Sequence, residues 1–387
     1  MSLRNLLEVM MEKGASDLHL KAGSRPVIRI DGLLHNTDYP VQTPESVEEI
    51  SMEILKPSQQ EALREEREID LAFGVPGLAR FRCNIYFQRG SQALAIRFVP
   101  LGVPSLSELN LPPIVENLAL LPRGLVLVTG TVGSGKSTTL AAMIDLLNRT
   151  QSRNIITIED PVEFLHRDDR CIINQREVGQ DTPSFAAGLK HVLRQDPDVI
   201  MLGEIRDSET MSVALMAADT GHLVLSTLHT VDAARTINRV LSFYPPDQHQ
   251  EVRYLMAQTL AGVVSLRLLP RKDSAGRVPA AEVCIATPTV KEYLMDAAKS
   301  NRIYEAMAEG SNTYGMQIFD QSLMKLYSED LIGLDVALRN ATNPTEFRLR
   351  VAGIESASDG TWRGFQKGAD NPEGMKEKKS QHFDFDS

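Results

Sequence analysis

At 387 residues, 42% hydrophobic and 24% charged, the chain has the length for two or three domains with ample buried core and the composition of an ordinary globular protein. Its net charge of −10 weighs against a general nucleic-acid binder, and its three scattered cysteines (Cys83, Cys171 and Cys284) form no CxxC or zinc spacing and fit a reducing compartment. No apolar run approaches the roughly 18–20 residues that span a bilayer, and the first residues read as an amphipathic helix rather than a signal peptide, so a cytoplasmic protein is expected.

Leu3, Leu6, Leu7 and Met10 line one face of a first helix, with Gly14 at its C-cap position. Residues 16–20 alternate, and residues 26–31 run into the turn pair Asp31-Gly32, which predicts two strands. Thr43-Pro44 opens a second helix through Leu55. Residues 69–73, 80–87 and 92–98, separated by Pro76-Gly77 and Arg89-Gly90 turns, complete a small antiparallel sheet. Residues 1–99 are thus expected to form one α+β domain, followed by a proline- and glycine-bearing linker over 100–113.

From Gly124 the pattern changes. Apolar runs at 125–128, 155–158, 199–202 and 223–225 alternate with helical segments, which implies a parallel sheet covered on both faces. Beyond Tyr244-Pro245-Pro246 the chain reads as largely helical, with one apolar stretch at 263–269. The expected division is an α/β core over 114–270, a helical C-terminal region over 271–355 and a disordered tail over 356–387, which is poor in apolar groups.

The first apolar run leads into Gly130-Thr131-Val132-Gly133-Ser134-Gly135-Lys136-Ser137, and Leu140, Met143, Ile144 and Leu147 repeat at helical spacing just after it. Strand, glycine-rich loop and helix is the context of a phosphate-binding loop. The glycines let backbone N–H groups converge on phosphate oxygens, assisted by the positive end of the following helix from Thr138. Lys136 is placed for the β- and γ-phosphates of a nucleotide, and the Ser137 hydroxyl for Mg²⁺.

Three more stretches narrow the chemistry. Ile158-Glu159-Asp160-Pro161-Val162-Glu163 delivers three acids at the C-terminal end of a strand, the end where ligands sit in open α/β sheets. Asp198-Val199-Ile200-Met201-Leu202-Gly203-Glu204 has the form of a Walker B strand, whose acid holds a metal directly or through water. Residues 221–230 place His222 and His229 at the two ends of an apolar strand. In the small domain, alternation puts Arg80 and Arg82 on one face, from which domain closure could bring them to the phosphates.

These stretches occur in the order of a RecA-like P-loop NTPase core. Together with Asn174-Gln175-Arg176-Glu177-Val178-Gly179, residues 193–200 and Gly203-Glu204-Ile205-Arg206-Asp207, the chain resembles the secretion-ATPase superfamily of type II and type IV secretion and type IV pili. Within it, the early Gly14-Ala15-Ser16-Asp17-Leu18-His19-Leu20 and the late Tyr314-Gly315-Met316-Gln317-Ile318-Phe319-Asp320-Gln321 are similar to the pilus retraction (PilT/PilU) family. Leu269-Pro270-Arg271-Lys272-Asp273 passes on without the four-cysteine insert of the extension and secretion motors. Two stretches depart from that family: the loop reads Thr-Val-Gly-Ser where Pro-Thr-Gly-Ser is usual, and residues 290–295 match the retraction motif poorly.

The resemblance implies a PAS-like N-terminal domain and a hexameric ATPase that uses ATP and Mg²⁺ and acts on an inner-membrane platform protein. Membrane contact would come only through partners, at the inner face of the cytoplasmic membrane, with no direct nucleic-acid contact. It assigns phosphate and metal binding to residues 130–138, ordering of the metal's water shell to Glu204, and γ-phosphate sensing to His229. Glu163 would orient the attacking water, with Glu159 and Asp160 as rivals. Arg82 and Arg97 match the family's arginine fingers, and His222 would support its strand or contact nucleotide. An accessory ring subunit dependent on a paralogous motor, and a secretion or DNA-transfer motor, are the alternatives.

Overall fold

The computed structural model describes residues 2–30, 32–99, 102–274 and 276–354, together with Trp362 and Phe365. The chain gathers into two compact units, each made of two stretches: residues 1–105 with 141–204, and residues 106–140 with 205 onward.

The first unit opens with α1 (Leu3–Glu12), where the Ser2 hydroxyl accepts from the Asn5 amide and Leu3, Leu6, Leu7 and Met10 are buried. Strands β1 (Asp17–Lys21), β2 (Val27–Ile30) and β3 (Leu33–Asn36) follow, then α2 (Pro44–Ile54), α3 (Pro57–Glu66), β4 (Glu68–Val75), β5 (Ala79–Gln88) and β6 (Ser91–Val99). The six strands form one antiparallel sheet in the order β3-β2-β1-β6-β5-β4. Its apolar face carries Leu18, Leu20, Phe81, Cys83, Ile85, Leu94 and Ile96, which share a core with Leu6, Leu7, Met10, Val47, Ile50 and Leu63 of the helices. Because side chains alternate along each strand, the intervening residues stand on the opposite, polar face.

The rest of the chain supplies α4 (Ile114–Ala119), β7 (Gly124–Gly130), α5 (Lys136–Thr150), β8 (Asn154–Glu159), β9 (Ile172–Glu177), α6 (Phe185–Val192), β10 (Val199–Leu202), α7 (Ser208–Asp219), β11 (Leu223–Leu228), α8 (Ala233–Leu241), α9 (His249–Thr259), β12 (Leu260–Pro270) and β13 (Arg277–Ile285). In the first unit, β8 pairs in parallel with β10 on one side and β9 on the other. In the second, β7 lies between β11 and β12, parallel to both, and β13 runs antiparallel to β12. Strands β7, β10 and β11 are buried at every residue, which is why they read as unbroken apolar runs. Short helices from Pro288 to Val351 follow.

The parallel α/β core matches the expected class, but four elements lie outside the sequence reading: β3, α3, β9 and β13. The span from 271 is therefore not helical throughout, because β13 extends the ladder through nine residues paired with β12. Most of the expected tail lies outside the described residues. Trp362 is buried, its ring 4.3 Å from the Arg350 guanidinium. No helix among the described residues is long and apolar enough to cross a membrane.

Candidate nucleotide site

In the second unit, β7 ends at Gly130, whose φ of +149° belongs to glycine. A Cβ there would meet the Ser134 hydroxyl and lie 2.6 Å from the Leu266 carbonyl oxygen. Beneath the loop, the buried Thr129 and Ser265 hydroxyls hydrogen-bond at 2.8 Å and fix β7 to β12. The loop folds back through Ser134 N–H to the Thr131 carbonyl (3.2 Å), leaving Val132 87% exposed at its crest. The Lys136 ammonium is buried and donates to the carbonyls of Gly130 and Thr131, both at 3.0 Å. A Thr139 N–H to Gly135 carbonyl bond (2.9 Å) closes the first turn of α5, so the amides before it lie at a helix N-terminus.

The Ser134 hydroxyl is 3% exposed and has no hydrogen-bond partner among the described residues. A buried donor without an acceptor, a lysine held over the same loop and a glycine at Gly130 with no room for a side chain fit a phosphate chain. Ser137, half-buried one residue past the lysine, is the hydroxyl of this loop suited to a divalent ion.

Strand β11 runs parallel to β7 with Leu228 opposite Thr129, so His229 stands level with Gly130 at the loop end of the ladder. His229 is exposed, and Thr230 behind it bonds Thr236 at 2.6 Å. His222 lies at the other end of β11. Its carbonyl accepts from Gly124 N–H, and its Nδ1 is 2.8 Å from the Ala217 carbonyl oxygen and 3.2 Å from the Thr220 hydroxyl. These bonds hold His222 to the end of α7 and to the start of β7. The six residues of β11, about 20 Å of strand, part it from the level of the loop.

The first unit gathers the acids. Leu202 pairs with Ile158, and Gly203 N–H donates to the Ile158 carbonyl (2.8 Å), which brings Glu204 beside the end of β8. Glu159, the last residue of β8, is 6% exposed and accepts from the Thr157 hydroxyl (2.7 Å), the Gln175 amide (3.1 Å) and Glu163 N–H (3.4 Å). Burial raises its pKa above the ordinary carboxylate value despite those donors. Glu159 is therefore an anchor for the turn, whereas Glu163 and Asp160 present exposed side chains.

On the polar face of the antiparallel sheet, register sets Arg29, Asp17, Arg97 and Arg82 in one row across four strands. Asp17 accepts from Arg97 Nε (2.8 Å) and the Ser16 hydroxyl (2.7 Å), with Arg29 Nε 3.8 Å away. Burial pushes the Asp17 pKa up, but the Ser16 and Arg97 bonds outweigh it and the net shift is downward. Arg82 has no hydrogen bond or ion pair among the described residues. Arg80 shares its face, as alternation predicts, but is committed elsewhere: its Nη2 lies 2.8 Å from Glu177 Oε2. Glu177 is 4% exposed, and the sequence reading gave it no role. Its partner is 97 positions away along the chain, a pairing that no local pattern encodes.

The loop and His229 thus belong to one unit, and Glu163, Glu204, Arg82 and Arg97 to the other.

A family profile described as "Type II/IV secretion system protein" matches residues 2–360. The "Type IV pilus retractation ATPase PilT" of Pseudomonas aeruginosa is 42% identical over 347 residues, covering 90% of this chain and all of that one. The "Type IV pilus ATPase PilU" of the same organism is 38% identical over 362 residues, covering 93% and 94%. Among solved structures, the pilus retraction motor PilT with bound ADP superposes with a TM-score of 0.83 at 42% identity, covering 89% of this chain and 98% of that one. On these grounds the chain belongs to the type II/IV secretion system protein family, among its type IV pilus ATPases.

Proposed function

We propose that the chain is the ATP-hydrolysing subunit of a hexameric motor that retracts type IV pili by moving an inner-membrane platform protein from the cytoplasmic side. The observation that carries this reading is the loop itself: a buried lysine, an orphaned buried hydroxyl and a glycine that no other residue can replace. Phosphoryl transfer needs positioning and charge neutralisation more than covalent chemistry, and these residues provide both.

In this reading Lys136 and the amides of residues 130–138 hold the phosphates. Ser137 would ligate Mg²⁺ and Glu204 would order its water shell; the ion would neutralise charge on the β- and γ-oxygens. Glu163 accepts a hydrogen bond from the attacking water and turns its lone pair toward the γ-phosphorus. His229 reads the γ-phosphate, and Arg82 and Arg97 add cations as its bond to ADP breaks. Loss of the γ-phosphate removes those charge-assisted bonds, which releases the arginine-bearing sheet from the nucleotide. Closed rings need identical heterologous interfaces, which a single subunit type supplies.

Lys136→Ala is expected to abolish ATP turnover, at least about a thousandfold, with the fold retained in circular dichroism. A variant as fast as the wild type would remove the site. Similarity to PilU over 93% of the chain supports a second reading, an accessory ring subunit paired with a paralogous motor. ATP turnover by the isolated protein separates the two, since an accessory subunit would be slow alone.

A further inference from the structure

We propose that Arg80 and Glu177 are positioning residues that tie the turn carrying Glu163 to the N-terminal antiparallel sheet, so that the place of the sheet sets the catalytic carboxylate. The inference rests on the reading of Glu163 as the acid that orients water.

Glu177 ends β9, in register with Glu159 at the end of β8. Its Oε2 accepts twice, from Arg80 Nη2 at 2.8 Å and from the backbone N–H of Val162 at 3.2 Å. Its Oε1 accepts from the Gln180 side-chain amide, and its own N–H donates to Asp181 at 2.8 Å. Val162 immediately precedes Glu163, whose N–H goes to Glu159. The turn therefore hangs from two buried carboxylates. Glu159 is held from within the core, by Thr157 and Gln175. Glu177 is held from the sheet.

The tie reaches the sheet at two adjacent strands. Arg80 stands on β5 two residues from Arg82, on the same face. The Gln180 amide that bonds Glu177 also lies 3.5 Å from the carbonyl oxygen of Ala72 on β4, and Ala72 is the register partner of Arg82. Any displacement of β5 that carries Arg82 toward or away from a phosphate must also move Arg80. Without Arg80, the buried Glu177 carboxylate loses the cation that fixes its Oε2 and is free to turn. Turning withdraws the acceptor that holds Val162 N–H. The pair thus links the arginine-bearing face to the geometry of water attack, and a misplaced sheet disarms Glu163 without touching the phosphate loop.

The test is steady-state ATP hydrolysis by the full chain with Glu177→Gln, Arg80→Ala, the Arg80→Ala/Glu177→Gln pair, Arg80→Lys and Glu163→Gln. Glu177→Gln and Arg80→Ala should each lower kcat about thirtyfold to a hundredfold while KM for ATP stays within about twofold. The double variant should be no slower than the worse single one, because both break one connection. Arg80→Lys, which keeps the cation, should stay within about fivefold of the wild type. Losses that multiply in the double variant, or wild-type kcat in Arg80→Ala, would overturn the tie. Should Glu177→Gln fail to fold, Arg80→Ala against Arg80→Lys decides alone, since Arg80 is partly solvent-facing. Glu163→Gln keeps the two ideas apart. If it retains full turnover, the assignment of Glu163 fails; if it is inactive while the Arg80 and Glu177 variants are fast, only the tie fails.

Discussion

Gly130 and Gly133 both have positive φ, +149° and +75°, yet they face different surroundings. A methyl group on Gly130 collides with the Ser134 side chain and the Leu266 backbone, and neither can yield without moving β12 or the loop. On Gly133 it meets nothing within 4 Å. Gly130→Ala should therefore lose nucleotide binding and about 1–3 kcal/mol of stability, whereas Gly133→Ala should keep binding and cost only its backbone strain, about 1 kcal/mol. Nucleotide titration and thermal melts of the two variants check this; equal losses would show that space at Gly130 is not what matters. The loop was legible because each of its residues does its work through spacing along one short segment. Arg80 was half legible: alternation along β5 gave its face, but not the partner on β9. For His222 and His229 the pattern gave the strand between them but not its pairing, which the β7–β11 register supplies.

Strands read well where burial is uniform and poorly where it is mixed. β9 carries Asn174, Gln175, Arg176 and Glu177 on a ladder at most partly buried before its last residue, and β13 interrupts its apolar run with Pro279 and Glu282. Glu282 explains why β13 tolerates an acid. It is 3% exposed, and its Oε1 accepts from Ala233 N–H at 2.9 Å, the first amide of α8, four residues after His229. Burial holds its carboxyl at about 7, against an ordinary 4.5, with the nearby Asp232 also raising it and the Ala233 amide and Arg267 opposing. The folded chain thus takes up a proton that the unfolded chain has released between about pH 4.5 and 7. Stability contributed here falls as pH rises through that window, by on the order of 3 kcal/mol, and is lost in full above it. Glu282→Gln, neutral throughout, should flatten the pH dependence of the melting temperature between pH 5 and 8. A slope as steep as that of the wild type would place the titration elsewhere.

At the scale of the molecule, the contacts group the N-terminal sheet with the acid strands, and the phosphate loop with the histidine strand and all that follows. Sequence reading divides a chain into consecutive stretches, because composition changes along it; contacts such as Arg80 to Glu177 and Gln180 to Ala72 obey no such order. In the proposed mechanism the loop and His229 come from one unit, and Glu163, Glu204, Arg82 and Arg97 from the other. The direction of the force is a question for the cell. Deleting the gene in its host should leave cells with surplus surface pili and no twitching, and a plasmid copy should restore movement while the Lys136→Ala copy does not. Bald cells would assign the motor to pilus extension. Normal pili and twitching in the deletion strain, with slow turnover by the purified chain, would favour the accessory role, since a paralogous motor would then carry retraction without it.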